Sequence, residues 1–407
     1  MKPQALGWPL TVLFLANLVA SIDRTALAAL LPAIKQDMTL SDTQLGILTG
    51  IAFSAFYAIF GLPLAALADR GHRPRLIAAA LVFWSLMTAA TGLAKAFVHL
   101  VAARMMVAVG EAGGVPASHS LLSDLTPDHR RPAVLAIHTA AGPLGSLLGL
   151  AGGGLLAATL GWRDAFVVLG LVGLPVAVLT FFLREPRTAG ARADGIEPRP
   201  KAGTLLGRRS FQLLLGGFAL GSFAMNGLLQ WLPSYLGRAF EMDIARVGVQ
   251  FGLAYGLGAM AGMLAGGAVA GPLMRRDTGW ALRLASISYL VGAPCLLASL
   301  LAPSAPIALA LIFLGSASAS AAYGPAFAMI QIIAEPRLRA FATASSLLVS
   351  NLVGAGLGPL AVGILSDSHG GAPAHALRFA LVSLFPVLIS PALLYWLAMK
   401  RLAWETR

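Results

Sequence analysis

Twelve apolar runs divide the chain, and each is long enough to cross a lipid bilayer as a helix. They occupy residues 7–32, 44–67, 76–95, 98–120, 132–158, 164–183, 211–236, 246–272, 281–301, 305–331, 340–365 and 376–399. About 20 apolar residues span the hydrocarbon core as a helix. Hydrophobic residues make up 57% of the chain and charged residues 11%, whereas a soluble domain has about 25% charged residues. The sequence predicts an all-α integral membrane protein with twelve transmembrane helices.

The positions of Lys and Arg predict how these spans are oriented. With the N-terminus in the cytoplasm, cytoplasmic segments hold 21 of the 29 Lys and Arg residues and outer segments hold six. Such a bias is typical of the cytoplasmic loops of membrane proteins. We therefore expect a multi-pass protein of a bacterial inner (plasma) membrane type, with both termini in the cytoplasm. The net charge of +12 is then explained by anionic lipid headgroups, without a nucleic-acid partner.

One long polar segment separates two groups of six spans. We predict an N-terminal six-helix bundle over residues 1–183, a cytoplasmic linker over 184–210 and a C-terminal bundle over 211–407. The linker is rich in Pro, Gly and charge, which is typical of a loop. Spans 5 and 11 both follow an arginine pair and carry a Gly-Pro breaker, at Gly142-Pro143 and Gly358-Pro359. These weak repeats predict two pseudo-symmetric halves around a central cavity, as in many transporters.

Four charged residues lie deep inside apolar runs, namely Asp23 and Arg24 in span 1 and Arg104 and Glu111 in span 4. A charge at the bilayer centre costs about 2.5 to 3.5 kcal/mol on insertion scales, so such residues are usually functional. From a rise of 1.5 Å per residue, Asp23 and Arg24 lie roughly 12 to 14 Å below the outer end of span 1, and Arg104 and Glu111 roughly 8 and 18 Å below that of span 4. We therefore predict cross-pairing, with Asp23 near Arg104 and Arg24 near Glu111.

A carboxylate paired with an arginine stays ionised, but it takes up a proton when the pair opens in a dry site. Glu111, flanked by glycines that allow close helix approach, is the first candidate for the proton carrier, with Asp23 coupled to it. Arg24 is the candidate anchor for an anionic headgroup, and Arg104 is its charged neighbour. The alternative is a structural network that neutralises its own charge. We favour function, because apolar residues often replace such networks without loss of stability.

The turn after span 2 reads Leu67-Ala-Asp69-Arg70-Gly71-His72-Arg73. It resembles the loop 2-3 signature of the major facilitator superfamily, usually written G-x-L-A-D-R-x-G-R-R, although Ala65 and His72 replace two glycines. The superfamily resemblance covers essentially the whole chain and implies its twelve-helix fold of two halves. It also implies that Asp69 and Arg70 form a gate at the cytoplasmic side in the outward-open state.

A closer resemblance, to the spinster-like branch of that superfamily, rests on several short motifs. They are Ser41-Asp-Thr-Gln-Leu-Gly before span 2, Gly110-Glu111-Ala-Gly, Ser123-Asp-Leu, Gly142-Pro-Leu-Gly-Ser, Gly161-Trp-Arg, and Asn351-Leu-Val-Gly-Ala-Gly-Leu-Gly-Pro359 with Ser366-Asp367. This resemblance implies proton-linked transport of amphiphilic lipids such as lysophospholipids or sphingolipids by alternating access. The charges of spans 1 and 4 would then be the proton-linked cluster.

Polar and aromatic residues within other spans are candidates for lining the transport cavity. Asn226 and Gln230 are four residues apart and share a helix face. The other candidates are Tyr57, Tyr255, Tyr323 and Asn351. For His119 and His138, near the predicted cytoplasmic ends of spans 4 and 5, we expect contact with lipid headgroups rather than a role in proton relay.

No catalytic constellation or metal-ligand cluster is visible in the sequence, so we expect no enzyme activity, no metal and no cofactor other than the proton as coupling ion. The expected partners are a small amphiphilic or anionic substrate, the proton and the lipid bilayer, and we expect a monomer. The main alternative is a proton-linked drug or organic-anion carrier of the same superfamily with a non-lipid substrate. A membrane enzyme acting on lipids and a channel are the alternatives from other classes.

Overall fold

The structure is a computed structural model, and it describes residues 6–127, 130–186, 202–334 and 338–405. Within helices, the side chains of residues 62, 69, 70, 132, 133, 202, 203, 340, 403 and 404 are outside this description. The described residues form helices and the turns that connect them, and they contain no β-strand. An all-helical chain is expected here, because helices satisfy every backbone hydrogen bond internally in a medium that offers none.

The described residues of the first half, 6–127 and 130–186, form eight helices. They are α1 (Gly7–Met38), α2 (Asp42–Thr49), α3 (Ile51–Arg70), α4 (Arg73–Thr91), α5 (Phe97–Ala112), α6 (Gly114–Leu125), α7 (Arg131–Thr139) and α8 (Ala141–Phe181). Several predicted spans are interrupted by a single residue. Gly50 separates α2 from α3, and Gly113 separates α5 from α6. Glu111 therefore lies in the last turn of α5, directly before a break.

Helix α8 contains two spans that meet at Gly161. The apolar stretch Val134–Phe181 has 48 residues, which would be roughly 70 Å long as one helix. That is more than twice the thickness of the hydrocarbon core. Gly161 has φ 81° and ψ 163°, a conformation open mainly to glycine, and it ends one span and begins the next. The described chain thus has eleven stretches of spanning character, one of them double, and the predicted twelve-helix fold is confirmed.

In the second half, residues 202–334 and 338–405 form eleven α-helices. They are α9 (Ala202–Leu206), α10 (Arg209–Phe240), α11 (Ile244–Phe251), α12 (Gly258–Arg276), α13 (Trp280–Leu300), α14 (Ala305–Ala321), α15 (Tyr323–Ile333), α16 (Arg339–Val349), α17 (Gly358–His369), α18 (Pro373–Val382) and α19 (Phe385–Glu405). Two wider π-helical turns, Gly252–Leu257 and Ser350–Leu357, join α11 to α12 and α16 to α17. The predicted linker falls partly outside the described residues, and its end forms α9 and the start of α10.

A stripe of glycines brings α8 against α1. Gly145, Gly149 and Gly153 recur every fourth residue and so share one helix face. A Cβ atom at Gly149 would lie 2.5 Å from the carbonyl oxygen of Ile22, and one at Gly153 would lie 3.1 Å from the Cα of Ala26. Only glycine allows backbones to pack this closely. This contact holds the segment of α1 that carries Asp23 and Arg24.

By internal packing the chain divides into two units. Unit 1 consists of Met1–Leu40, Ile47–Gly195 and Asp243–Val249, and unit 2 of Ser41–Gly46, Ile196–Met242 and Gln250–Arg407. In unit 2, Gly354 and Gly358 play the part that the α8 glycines play in unit 1. A Cβ at Gly358 would overlap the carbonyl oxygen of Phe223 in α10 and lie 3.1 Å from its carbonyl carbon. Both units therefore use small residues to bring a broken helix close to a long one.

Candidate functional site

The four charges predicted to cluster within spans 1 and 4 come from the middle of α1 and from α5. On α1, Asp23 and Arg24 are consecutive and point in directions about 100° apart. On α5, Arg104 and Glu111 are seven residues apart, which places them on one face about 10 Å apart along the axis. Each α1 residue can therefore reach a different partner on α5, and the two partners lie at different depths.

Asp23 pairs with Arg104 in the interior of unit 1. The Nη1 of Arg104 donates a hydrogen bond to the Oδ2 of Asp23 over 3.1 Å. Both side chains are almost completely shielded, with only 5% and 6% of their surfaces exposed. A pair in such surroundings is screened very little, so each charge depends on the other for its stability.

Arg24 pairs with Glu111, so the structure has both of the ion pairs that the depth argument predicts. The Nε of Arg24 donates to the Oε2 of Glu111. The environments of the two partners differ, because the Glu111 side chain is fully buried whereas 32% of the Arg24 side chain is exposed. Arg24 is thus the one member of the four-residue cluster that solvent or a solute can reach.

Two aromatic rings of α3 lie against the arginines. The Cζ of Arg24 is 5.2 Å from the ring centroid of Phe53 and 5.0 Å from that of Tyr57, and the Cζ of Arg104 is 4.8 Å from that of Phe53. These distances are typical of cation–π contacts. Tyr57, a candidate for lining the transport cavity, contacts Arg24. Phe53 was not predicted; its spacing of four residues from Tyr57 is the signal that pairs them on one helix face.

Each carboxylate of the cluster keeps one oxygen free. Neither Oδ1 of Asp23 nor Oε1 of Glu111 has a hydrogen-bond partner among the described residues, and the same is true of the Nε of Arg104. Two cations and two anions make the cluster neutral as a whole. A proton added to one free oxygen would leave a net positive charge, centred on whichever arginine lost its partner.

His119 of α6 and His138 of α7 lie against each other. The His138 side chain is 0% exposed, which contradicts the expected headgroup contact. Its ring meets that of His119 edge to face, with centroids 5.0 Å apart. An imidazole is small enough to fit between packed helices, and the apolar sequence around His138 gives no indication of whether it faces lipid or protein.

The predicted gate residues Asp69 and Arg70 end α3, and their side chains are outside the described part of the chain. Their neighbour Arg73 is well defined. It is 0% exposed, its Nε lies 3.1 Å from both carboxylate oxygens of Glu185, and its Nη1 donates to Asp124 over 2.7 Å. From the sequence, Arg73 looks like one more basic residue of the turn after span 2. In the structure it is the buried first residue of α4, and it joins that helix to the end of α6 and to the segment after α8.

Unit 2 contains a cavity of about 240 Å³. No Asp, Glu, Lys or Arg of the described residues lines it, and its polar groups are hydroxyls and one amide. The aromatic side chains that line it are Phe218, Tyr255, Tyr289, Tyr323 and Tyr395. The side chains of Met225 and Met263 add flexible apolar surface, and Ser350 adds a hydroxyl group. The cavity is thus suited to an uncharged and largely apolar group.

Of the cavity-lining candidates in this half, three line this cavity and two do not. Asn226, Tyr255 and Tyr323 are part of its wall. Gln230 lies deeper in α10, 8% exposed, and its Oε1 has no partner among the described residues. Asn351 lies in the π-helical turn before α17 and donates to the carbonyl of Leu347 over 2.9 Å.

A second charged group surrounds the short segment Ser41–Gly46 within unit 2. Arg238 of α10 donates two hydrogen bonds of 2.8 Å to the carboxylate of Asp42. Ser366 donates to Asp42 over 2.6 Å, and Asp367 accepts the backbone N–H groups of Asp42 and Thr43. Residues 41–42 and 366–367 both belong to the motifs that resemble the spinster-like branch. The structure joins them in one hydrogen-bonded network.

The described residues contain no group of three or more His, Cys, Asp or Glu side chains that could hold a metal ion. The chemistry open to the unit 1 cluster is therefore proton binding and ion pairing. The chemistry open to the unit 2 cavity is the enclosure of an apolar or aromatic group.

Comparisons with known proteins give consistent matches along the chain. A family model described as Major Facilitator Superfamily matches residues 13–359. An MFS-type efflux pump of Mycolicibacterium smegmatis is 35% identical over 394 residues, which cover 96% of this chain and 92% of that protein. The hexuronate transporter of Bacillus subtilis is 30% identical over 322 residues, 74% of this chain and 75% of that protein. The crystal structure of a bacterial homologue of the human lysosomal transporter Spinster, inward-facing and unoccupied, superposes with a TM-score of 0.88, at 26% identity and over 98% of both chains.

Proposed function

We propose that this chain, which belongs to the Major Facilitator Superfamily, couples the movement of protons to the transport of an amphiphilic or anionic solute by alternating access. It is a multi-pass membrane transporter of the spinster-like kind. The observation that carries the proposed coupling is the Arg24–Glu111 pair, in which a fully buried carboxylate with one free oxygen holds a partly exposed guanidinium.

The cost of burying these charges supports a role in transport. Replacing a buried ion pair by apolar residues of similar size is often neutral or stabilising, so stability alone does not explain its presence. Intramembrane acids that face a protein interior commonly take part in proton relays. Glu111 and Asp23 are both acids of this kind, and each has one oxygen that no described residue contacts.

Protonation of Glu111 changes what Arg24 can bind. A neutral carboxyl group no longer provides the charge-assisted hydrogen bond that holds the Nε of Arg24. Arg24 keeps its contacts with the rings of Phe53 and Tyr57, and its exposed part is then available to an anionic group of the solute. Because the carboxylate and the solute anion compete for one guanidinium, the proton and the anion bind together. The second pair, Asp23 with Arg104, lies beside the first and shares its electrostatic balance.

The cavity of unit 2 supports an amphiphilic solute. Five aromatic rings and two methionines form an uncharged wall, which favours an acyl chain or an aromatic group over a molecule covered with hydroxyls. Arg24 supports an anionic headgroup. A lysophospholipid- or sphingolipid-like molecule carries both an acyl chain and a charged headgroup, and it is the solute class that we propose first.

A drug or organic anion without an acyl chain is the second candidate. The relative with 35% identity is named an efflux pump, and aromatic cavities suit flat organic molecules as well as lipid chains. The hexuronate transporter acts on a sugar acid according to its name. The unit 2 cavity has tyrosine and serine hydroxyls and one amide, but most of its surface is aromatic and aliphatic. We therefore place a sugar acid after the lipid-like and aromatic solutes.

We place the protein in a bacterial inner membrane as a monomer, with both termini in the cytoplasm. The orientation rests on the excess of Lys and Arg in alternate loops. The same orientation puts Arg73 and the segment after α8 on the cytoplasmic side. A C-terminal green fluorescent protein fusion, which fluoresces only in the cytoplasm, tests this topology directly.

The proposed function is tested in proteoliposomes with three probes. These are lysophosphatidylglycerol with a fluorescent acyl chain, followed by extraction with albumin, fluorescein as an anion without an acyl chain, and radiolabelled glucuronate. Each probe is measured with and without an imposed pH gradient, and protein-free liposomes provide the background. We expect protein-dependent movement of the lysolipid that rises when the side of probe entry is made acidic.

The outcomes separate the candidates. Movement of fluorescein alone would replace the lipid by an organic anion and leave the coupling intact. Movement of glucuronate alone would contradict the part assigned to the aromatic cavity. Protein-dependent movement that is the same at every pH gradient would overturn proton coupling.

A further inference from the structure

A small cavity in unit 1 joins Glu111 to the buried histidine of α7. It measures about 10 Å³, and its lining includes Arg24, Glu111, Trp84, Asn17 and His138. This volume is close to the least, about 10 to 15 Å³, that holds one water molecule. The cavity is separate from the larger, uncharged cavity of unit 2, and the coupling mechanism described above makes no use of it.

Several buried polar atoms around this small cavity lack hydrogen-bond partners. Among the described residues, no group hydrogen-bonds with good geometry to either ring nitrogen of His138, to the Oε1 of Glu111 or to the Nε1 of Trp84. The carbonyl of Leu13 faces the His138 ring from α1. A buried polar atom without any partner costs about 1 to 3 kcal/mol. A water molecule in the cavity would satisfy two to four of these atoms, which is what buried waters usually do.

His119 extends this set of polar groups away from Glu111. Its ring packs edge to face on that of His138 at 5.0 Å, and it is only partly buried. The Nε2 of His119 also has no partner among the described residues. His119 follows Glu111 by eight positions, so the two lie roughly 12 Å apart along the direction of the span. The histidines thus lie between Glu111 and the end of the bundle where α6 is followed by α7.

We propose that His119 and His138 carry protons between Glu111 and that end of unit 1, with water in the small cavity as the last link. An imidazole accepts a proton at one ring nitrogen and releases the other proton from the second nitrogen, which makes it suited to a relay near neutral pH. In the inward direction toward Glu111, His119 takes a proton from the aqueous side. No hydrogen bond joins the two rings among the described residues, so a rotation of the His119 ring brings its N–H to a ring nitrogen of His138, and the proton is passed on. His138 passes a proton to the cavity water, and the water passes one to the Oε1 of Glu111. No net charge remains on the histidines after transfer.

The charged and titratable groups around the relay are compatible with it. Arg24 of α1 and Glu111 of α5 line the small cavity, and His119 of α6 contacts His138. The lining contributed by α4 is Ile77 and Trp84, which do not titrate.

This inference rests on the proposed role of Glu111, and infrared spectroscopy separates the two. In reconstituted protein without solute, the carbonyl stretch of protonated Glu111 is the band that disappears in Glu111→Gln. A rapid pH jump then gives the rate at which this band forms. We expect His138→Phe, which fills the site with a ring that cannot carry protons, to slow band formation by roughly tenfold or more. His138→Gln keeps a hydrogen-bonding group and should slow it as well, which guards against a folding defect in the first variant.

The control is His99→Phe. His99 is an exposed histidine at the other end of the span that carries Glu111 and His119. This variant should leave the rate unchanged. If both His138 variants form the Glu111 band as fast as the wild type, the relay is wrong while the role of Glu111 stands. If the wild type shows no band that responds to pH and is lost in Glu111→Gln, the proposed coupling fails and the relay fails with it.

Discussion

Arg24 and Glu111 offer a way to separate structural stability from transport at the level of single residues. We predict that Arg24→Met lowers stability by about 3 kcal/mol, because it leaves a buried carboxylate without its partner. The double variant Arg24→Met with Glu111→Leu should recover most of that loss, since both charges are gone. Thermal unfolding of the purified protein measures both effects, and proteoliposome transport should be lost in the single and the double variant alike.

A different result would change the role of this pair. If the double variant were as unstable as Arg24→Met, the pair would be required for folding. Stability alone would then explain why the buried charges are present. If the double variant still transported solute in response to a pH gradient, the pair would have no part in coupling.

The four charges could be predicted from the sequence because a charge inside an apolar run is costly wherever it points. Their pairing also followed from depth alone, since two antiparallel helices of known rise place each residue at a calculable height. Phe53 could not be predicted, because an aromatic residue in an apolar run looks the same whether it faces lipid or an arginine. The same ambiguity explains His138, for which the expectation of headgroup contact was wrong.

At the level of helices, the glycine stripe of α8 sets the position of α1 and with it the position of Asp23 and Arg24. We predict that Gly149→Ala destabilises the protein by about 1 to 3 kcal/mol, because the new Cβ would lie 2.5 Å from the carbonyl oxygen of Ile22. Gly152→Ala is the matched control, since a Cβ at Gly152 has no neighbour within 4 Å. Thermal unfolding should separate the two variants, and equal midpoints would show that α1 and α8 are not closely packed.

The first residue of α4 provides a second prediction about helix ends. Arg73→Ala should lower stability by about 3 kcal/mol, because it leaves the carboxylates of Glu185 and Asp124 without a shared buried partner. Arg75→Ala removes the same charge from an exposed position two residues later and should change stability by less than about 0.5 kcal/mol. Thermal unfolding of both variants measures the difference. If the two variants lost stability equally, Arg73 would act only as one more basic residue of the turn.

Helix positions could be read from the apolar runs, because span length is fixed by the bilayer. The break at Gly161 falls in the gap between the predicted runs 132–158 and 164–183. The breaks at Gly50 and Gly113 could not be placed, since a glycine in a membrane helix can serve either as a break or as a close contact. The sequence predicts a Gly-Pro breaker at both Gly142-Pro143 and Gly358-Pro359. In the structure, a Cβ at Gly358 would lie 3.1 Å from the carbonyl carbon of Phe223, whereas one at Gly142 would meet nothing within 4 Å. Whether a glycine breaks a helix or allows close packing depends on the neighbouring helix, and the sequence around the glycine does not show which helix that is.

For the molecule as a whole, the motifs of the loop after α3 and of α17 were sufficient for the family. Membership of the Major Facilitator Superfamily and the likeness to spinster proteins, both predicted from these motifs, are confirmed by the comparisons. The assignment of Ser41–Gly46 to unit 2 was beyond the sequence. The contacts of this segment include the Asp42–Arg238 pair, whose members are almost two hundred residues apart along the chain, and the hydrogen bonds to Ser366 and Asp367. The solute also remains a proposal, because an uncharged aromatic cavity specifies a class of group and no single molecule.

The central claim is that a proton on Glu111 drives transport, and one measurement addresses it directly. Purified wild type, Glu111→Gln and Asp23→Asn are reconstituted, and each is assayed with fluorescent lysophosphatidylglycerol in two modes, exchange at equal pH and accumulation driven by a pH gradient. Glutamine resembles a permanently protonated glutamate, so Glu111→Gln should exchange solute as well as the wild type and fail to accumulate it. Asp23→Asn should weaken accumulation in the same direction. Accumulation by Glu111→Gln equal to that of the wild type would contradict the claim.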